Sequence, residues 1–263
     1  MMRAIALEAQ VVRDLSPPDV FHAAARAGFA MAGVWIDPST WTAQMTRNVR
    51  SAIGATGVTA LDAEVVRIGD DDDGDHDRLI DIAGEIGVRH VIIVSMARRP
   101  QQTIDRLADV AARAQGAGIV PVLEFGRFTT VTTLDMAFDI VKRCDVVVGI
   151  LPDPLHLHRS GGVPADLALV PARYIPFAQI CDAGPAPEPA TREKLLWEAR
   201  HDRRDLGDGL LPLADYVGAL PRTIPLSNET RSLRVERAYP DPFDRATALA
   251  ERMRAMLAIW DHG

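Results

Sequence analysis

Four residues, one in each of four successive apolar segments, have the right types to hold a cation. Glu124 lies in VPVLEFG, Asp153 ends VVVGILPD, Gln179 lies in IPFAQICDA ahead of Asp182, and Glu229 lies in IPLSNET. A carboxylate or amide buried in such a segment costs several kcal/mol unless it is paired or ligated. Any one of them could simply pair with an arginine. Four on consecutive segments point instead to convergence. Three carboxylates and one amide oxygen form a hard donor set suited to one divalent ion such as Mg²⁺ or Mn²⁺. The stretch ILPDPLHLHRSGG adds His156 and His158, with Arg159, directly after Asp153. A neutral imidazole and a guanidinium there can donate hydrogen bonds to developing oxyanion charge.

These residues need elements that bring them to one place. Short Val/Ile/Ala-rich runs alternate with longer amphipathic ones, which reads as buried parallel strands between helices. The strands are expected at 4–9, 31–36, 59–68, 90–96, 120–126, 145–153, 175–183 and 223–230. Helices are expected at 17–27, 40–55, 75–86, 103–115, 133–143, 193–201, 213–220 and 243–259, with a loop over the barrel mouth after Asp153. Eight alternations predict a (β/α)₈ TIM barrel spanning residues 1–263 as one domain, with the site at the C-terminal ends of the strands. A doubly wound open sheet is the weaker alternative, because no Gly-rich phosphate turn follows a strand.

The 263-residue chain is 48% apolar and 25% charged, as expected of an ordinary soluble protein, and its formal net charge of −7 opposes nucleic-acid binding. It shows no signal peptide and no apolar run long enough for a membrane, so a cytoplasmic location is expected. Cys144 and Cys181 read as free buried thiols. The acidic run Gly69–Asp77 reads as a solvated loop that caps the next helix. The two lysines, Lys142 and Lys194, lie away from strand ends, which disfavours a Schiff-base enzyme.

The runs LEFGRF, ILPDPLHLHRSGG, FAQICDA, the Gly-Asp-Gly loop and PLSNETRS resemble the xylose isomerase-like TIM barrels, the superfamily of sugar-phosphate isomerases/epimerases and type-two AP endonucleases. The resemblance runs from GFAMAGVWIDP to AYPDPFDRA. It implies that Glu124, Asp153, Gln179 and Glu229 ligate one divalent metal ion (Mn, Mg, Co or Zn). It also implies that Glu124 and Glu229 are the acid/base pair, with His156 of D-x-x-H near the substrate oxygens. Gln179 stands where the isomerases and epimerases carry His, and in this it is similar to the inosose and dehydroshikimate dehydratases. The expected function is therefore a metal-dependent isomerase or epimerase acting on a small keto-sugar or polyhydroxylated carbonyl compound through an enediolate. The alternative is a dehydratase (lyase) acting on a cyclic keto-polyol. A trinuclear zinc endonuclease would need more histidines at strand ends. A non-catalytic binding subunit is the remaining class.

His158, Arg159, Arg127, Trp35 and Glu64 are expected to contact substrate. Arg203 or Arg204, ahead of LGDG, are further candidate anion clamps, and Glu8 is expected in the first strand, shaping the pocket or pairing with an arginine. The expected partners are a small-molecule substrate and, by resemblance, further copies of the chain in a homodimer or homotetramer.

Overall fold

The computed structural model describes residues 3–69 and 75–260, so Asp70–Gly74 of the acidic run lie outside the described residues. Eight parallel strands form one sheet: β1 (Ile5–Leu7), β2 (Met31–Trp35), β3 (Thr59–Ile68), β4 (His90–Ser95), β5 (Val120–Glu124), β6 (Gly149–Leu151), β7 (Ala178–Ile180) and β10 (Leu226–Asn228). Their order is β6-β5-β4-β3-β2-β1-β10-β7. A backbone hydrogen bond from Gln179 N–H to the Pro152 carbonyl, at 2.9 Å, brings the two outer strands together. The result is the nearly closed ring of a (β/α)₈ barrel.

Period-2 alternation divides the strands between two cores. Ile5 and Leu7, Val91 and Ile93, Leu123 and Ile150 pack outward under the helices. Ala6, Ile92, Val122, Leu151 and Phe177, offset by one, form a separate cluster with Leu61. The same parity directs Glu124 and Gln179 within their strands, and Glu8 and Asp153 just past theirs, inward, two residues beyond Val122, Phe177, Ala6 and Leu151.

Helices α1 (Pro17–Ala27), α2 (Ala43–Thr56), α3 (Asp75–Ile86), α4 (Pro100–Gly116), α5 (Leu134–Val141), α7 (Arg192–His201), α8 (Leu213–Ala219) and α10 (Pro242–Trp260) fall close to the expected spans. Their starts are chemically marked. Thr42, Thr133 and Thr191 each accept a hydrogen bond from the third residue beyond them. At the C-terminus of α1, Gly28 adopts φ 78°, a left-handed cap that a side chain would strain.

Three features depart from the expectation. Strands β1, β6, β7 and β10 are only three residues long. Their flanks hold turns and the site rather than ladder pairs. The segment after Asp153 is a short helix, α6 (Pro154–Arg159), rather than a loop. Its start is an Asp cap followed by proline. A small hairpin, β8 (Asp182–Ala183) with β9 (Arg203–Arg204), and helix α9 (Leu233–Ala238) complete the C-terminal rim. Among the described residues, no helix is long and apolar enough to cross a membrane.

Asp182 is the anchor of that rim. One carboxylate oxygen accepts the N–H groups of Ala183 and Leu211, and the other those of Gly207 and Gly209. A Cβ on Gly209 would stand 2.3 Å from an Asp182 oxygen and 2.4 Å from the Ala183 carbonyl, so only glycine permits this wrap. Asp182→Ala leaves these donors without their acceptor. It is expected to destabilise the chain by about 3 kcal/mol in urea unfolding, whereas Asp208→Ala on the same loop should change stability little.

Candidate active site

A cavity of about 630 Å³ opens at the C-terminal end of the barrel. Glu64, Glu124, His156, Arg203, Glu229 and Arg231 are among its lining residues, and Trp35 and Phe128 contribute aromatic wall. Asp153 lies behind this lining, fully buried. One of its oxygens caps α6, accepting Leu155 N–H at 2.7 Å and His156 N–H at 3.1 Å. That bond orients the helix carrying His156. The imidazole Nε2 then lies 3.6 Å from Glu124 Oε1, and Phe128 meets its ring edge-on at 5.0 Å. Ligating atoms of Glu124, Asp153 and His156 fall within 4.8 Å of one another.

The expected four-residue set had Gln179 and Glu229 in place of His156. Gln179 is held by Tyr216, whose hydroxyl donates to its backbone carbonyl at 3.1 Å, while its side-chain oxygen is buried with no hydrogen-bond partner among the described residues. Between Asp153 and Glu229 stands the guanidinium of Arg203. Its Nη1 lies 2.5 Å from Asp153 Oδ2, and its Nη2 lies 3.2 Å from Glu229 Oε2. Arg203 was a candidate anion clamp from sequence. In the structure it is 1% exposed and spends its charge on the site carboxylates. Arg204 faces Asp202 at 3.7 Å.

Burial and charge set the protonation states. Burial, reinforced by the Asp153 charge, pushes Glu124 up to about 7. Burial raises Glu229 well above the carboxylate range against the pull of Arg203. Burial would also raise Asp153, but the adjacent Arg203 and His156 hold it well below its ordinary value. Burial lowers His156 to about 4, so the imidazole is neutral at physiological pH. On the far wall, burial and the neighbouring Glu8 carboxylate raise Glu64 well above normal, and burial with Glu8 and Glu124 raises Asp62 to about 8. Among the described residues, neither Asp62 oxygen has a hydrogen-bond partner. Gly33 makes room for them, since a Cβ there would lie 2.9 Å from Asp62 Oδ2.

The remaining expected contacts divide. Trp35 and Glu64 line the cavity. Glu8 follows β1 and caps a 3₁₀ turn, accepting Gln10 N–H at 2.6 Å. Arg159 points away from the cavity and is consumed by Glu198, at 2.6 and 3.0 Å, and by the Gly184 carbonyl. His158 lines a separate cleft with Leu157 and Tyr216, and its Nδ1 lies 3.0 Å from Arg159. Arg127 donates to the Arg159 carbonyl, at 3.5 Å, rather than into the cavity. Both cysteines are free; Cys181 is buried as expected, but Cys144, just after α5, is only half-buried. Asp62 and Arg231 were not anticipated. Arg231 lies 3.6 Å from Glu229, two residues on in NETRS, and that spacing is a signal for the shared inward face.

A glutamate with a raised pKa opposes folding once it ionises. The unfolded chain loses its proton near 4.5 and the folded chain near 7, so the folded state weakens as pH rises across that window. Glu124→Gln removes this penalty. In chelator-treated protein it is expected to raise Tm over wild type at pH 8 and to leave it nearly unchanged at pH 4.5.

The model of the xylose isomerase-like TIM barrels matches residues 21–258. No curated protein matches the sequence. Among solved structures, a xylose isomerase-like TIM barrel/4-hydroxyphenylpyruvate dioxygenase fusion protein superposes with a TM-score of 0.80 at 20% identity. The match covers 96% of this chain but 42% of that one, so this chain spans under half of the fusion protein. IolI, in a structure with a bound zinc atom, gives a TM-score of 0.79 at 16% identity over 97% of this chain and 98% of its own. The probable 3-DHS dehydratase AsbF from Bacillus anthracis gives 0.75 at 14% identity over 97% and 99%. With the family model spanning nearly its full length, the chain belongs to the xylose isomerase-like TIM barrels.

Proposed function

We propose that this protein is a divalent-metal-dependent enzyme of the isomerase/epimerase type, acting on a small polyhydroxylated carbonyl compound by moving a proton at the carbon next to the carbonyl. One observation carries this reading: Glu124 and Glu229, two carboxyls held above their ordinary range, share the lining of one cavity. A carboxyl that titrates near neutrality is matched to proton transfer at working pH.

The donor set suits a hard cation. Glu124, Asp153 and Glu229 supply carboxylates, and the buried Gln179 side-chain oxygen lacks any other partner. His156 lies in one group with Glu124 and Asp153, and its role there is toward the substrate rather than the ion. The zinc in the IolI structure and the shared fold support the same reading. A bound divalent ion would supply Lewis acidity toward a carbonyl and its neighbouring hydroxyl.

The chain's own groups then divide the work. Glu124 Oε1 takes the α-proton when ionised. Neutral His156, beside it, donates to a substrate oxygen as charge develops. Glu229 holds a proton for return, and Arg231 at 3.6 Å moderates its charge. Trp35 and Phe128 wall off the sugar-like body. Gln179 favours the second reading, loss of a β-hydroxyl from a cyclic keto-polyol: by the resemblance drawn from the sequence it is similar to the dehydratases, and the probable dehydratase AsbF has a similar fold. Both reactions begin with the same proton abstraction.

Metal content by mass spectrometry, on wild type beside Glu229→Ala and Glu229→Gln, tests the site. About one divalent ion per wild-type chain, lost in both variants, is the expected result. Keto-sugars and cyclic keto-polyols in deuterated water then separate the two reactions. Deuterium in an isomer or epimer supports the first reading, and an enone product absorbing in the ultraviolet supports the second. A wild-type chain that takes up no metal when supplied with it overturns both.

A further inference from the structure

Among the described residues, Arg203 is the largest fully buried side chain. Its backbone is fixed on both sides. Hairpin β8–β9 pairs Arg203 with Ala183, and Arg203 N–H donates to the Arg231 carbonyl at 3.2 Å. Its Nε donates to the Ala199 carbonyl, in the last turns of α7, at 2.8 Å. The guanidinium is thereby aimed into the barrel end. Nη1 reaches Asp153 Oδ2 at 2.5 Å and Cys181 Sγ at 3.0 Å; Nη2 lies 3.2 Å from Glu229 Oε2 and 3.5 Å from His156 Nε2.

This contact set overlaps the residues assigned above to a divalent ion. Asp153 Oδ1 is committed to two N–H groups of α6, so Oδ2 is the oxygen that faces the site, and Arg203 holds it. Two cations sharing a water-poor pocket repel one another strongly. A guanidinium cannot shed its charge to make room, because Arg stays protonated in proteins.

We propose that Arg203 is a tethered cation that competes with the divalent ion for Asp153 and Glu229, so that metal loading requires its guanidinium to leave those carboxylates. The inference rests on the metal reading of the previous subsection and adds a specific cost to it. The chain keeps its buried carboxylates paired without metal, and it binds metal more weakly than the donor set alone would. An arginine serving only to hold the β8–β9 rim would lower stability when replaced and would leave metal affinity unchanged.

The test is Mn²⁺ binding to the full chain, read from the electron paramagnetic resonance signal of free Mn²⁺. Arg203→Gln is expected to tighten Kd at least tenfold over wild type. Arg231→Gln is the control for removing a nearby charge, since it leaves Asp153 Oδ2 held by Arg203; it should tighten Kd less than threefold. Asp153→Asn in the Arg203→Gln background should abolish binding. Without metal, Arg203→Gln should melt below wild type, and saturating Mn²⁺ should raise its Tm more than it raises that of wild type.

A second readout needs no altered site. In wild type with ¹⁵N-labelled arginine, the Arg203 Nε–H signal, assigned by its loss in Arg203→Lys, should shift on saturation with Mg²⁺. Equal Mn²⁺ affinity in wild type and Arg203→Gln, with binding lost in Asp153→Asn, overturns the competition and leaves the metal site standing. An Arg231→Gln gain as large as that of Arg203→Gln, or an Arg203 signal that Mg²⁺ leaves in place, also overturns it. Failure of both wild type and Arg203→Gln to bind Mn²⁺ overturns the metal reading and the competition together.

Discussion

The constraint on which the rest of this structure depends is the concentration of carboxylates inside one end of a barrel. Glu8, Asp62, Glu64, Asp153 and Glu229 are all buried, and Glu124 stands beside them with its side chain 13% exposed. Ionised together without compensation, they could not be held in a low-dielectric interior. The structure compensates in two ways. Arg203 and Arg231 place positive charge among them, and several of the carboxyls keep their protons at pH values where free carboxylates have lost them.

The scaffold makes this tolerable by packing everything beneath it. An outer core runs continuously between strands and helices. A smaller inner cluster of Ala6, Leu61, Ile92, Val122, Leu151 and Phe177 fills the barrel below the polar layer. Removing that apolar surface from water supplies the main stabilisation, at about 25 cal/mol per Å². The polar end is therefore a local liability on a well-packed body. Rim contacts such as Asp182 and its four N–H donors keep the loops above it in place.

The same arrangement separates the acid/base roles chemically. Asp153, beside Arg203 and used as a helix cap, stays ionised. Glu124, with less cationic help, titrates near neutrality. His156, buried among arginines, stays neutral and can donate without carrying charge. Groups of similar intrinsic acidity are driven apart by their surroundings, as proton-transfer sites require.

The sequence by itself determined the barrel and the inward direction of its polar residues. Eight strand–helix alternations were legible, and spans such as Thr59–Ile68, Pro17–Ala27 and Asp75–Ile86 coincide with the observed elements. The reason is periodicity: a spacing of two along a strand and of three to four along a helix is a local property that tertiary packing then uses. Glu124, Asp153, Gln179 and Glu229 could be picked out because each interrupts an apolar run. Tertiary structure alone decided what those residues meet. Arg203 comes from a hairpin that sequence patterning does not announce, 50 residues from Asp153, yet it takes the centre of the site. His158, two positions past His156 on α6, turns away because the helix rotates each successive side chain by about 100°, and Arg159 is drawn off by Glu198 and the Gly184 carbonyl. Which cation faces which carboxylate is a question of distance through space, and spacing along the chain does not contain it.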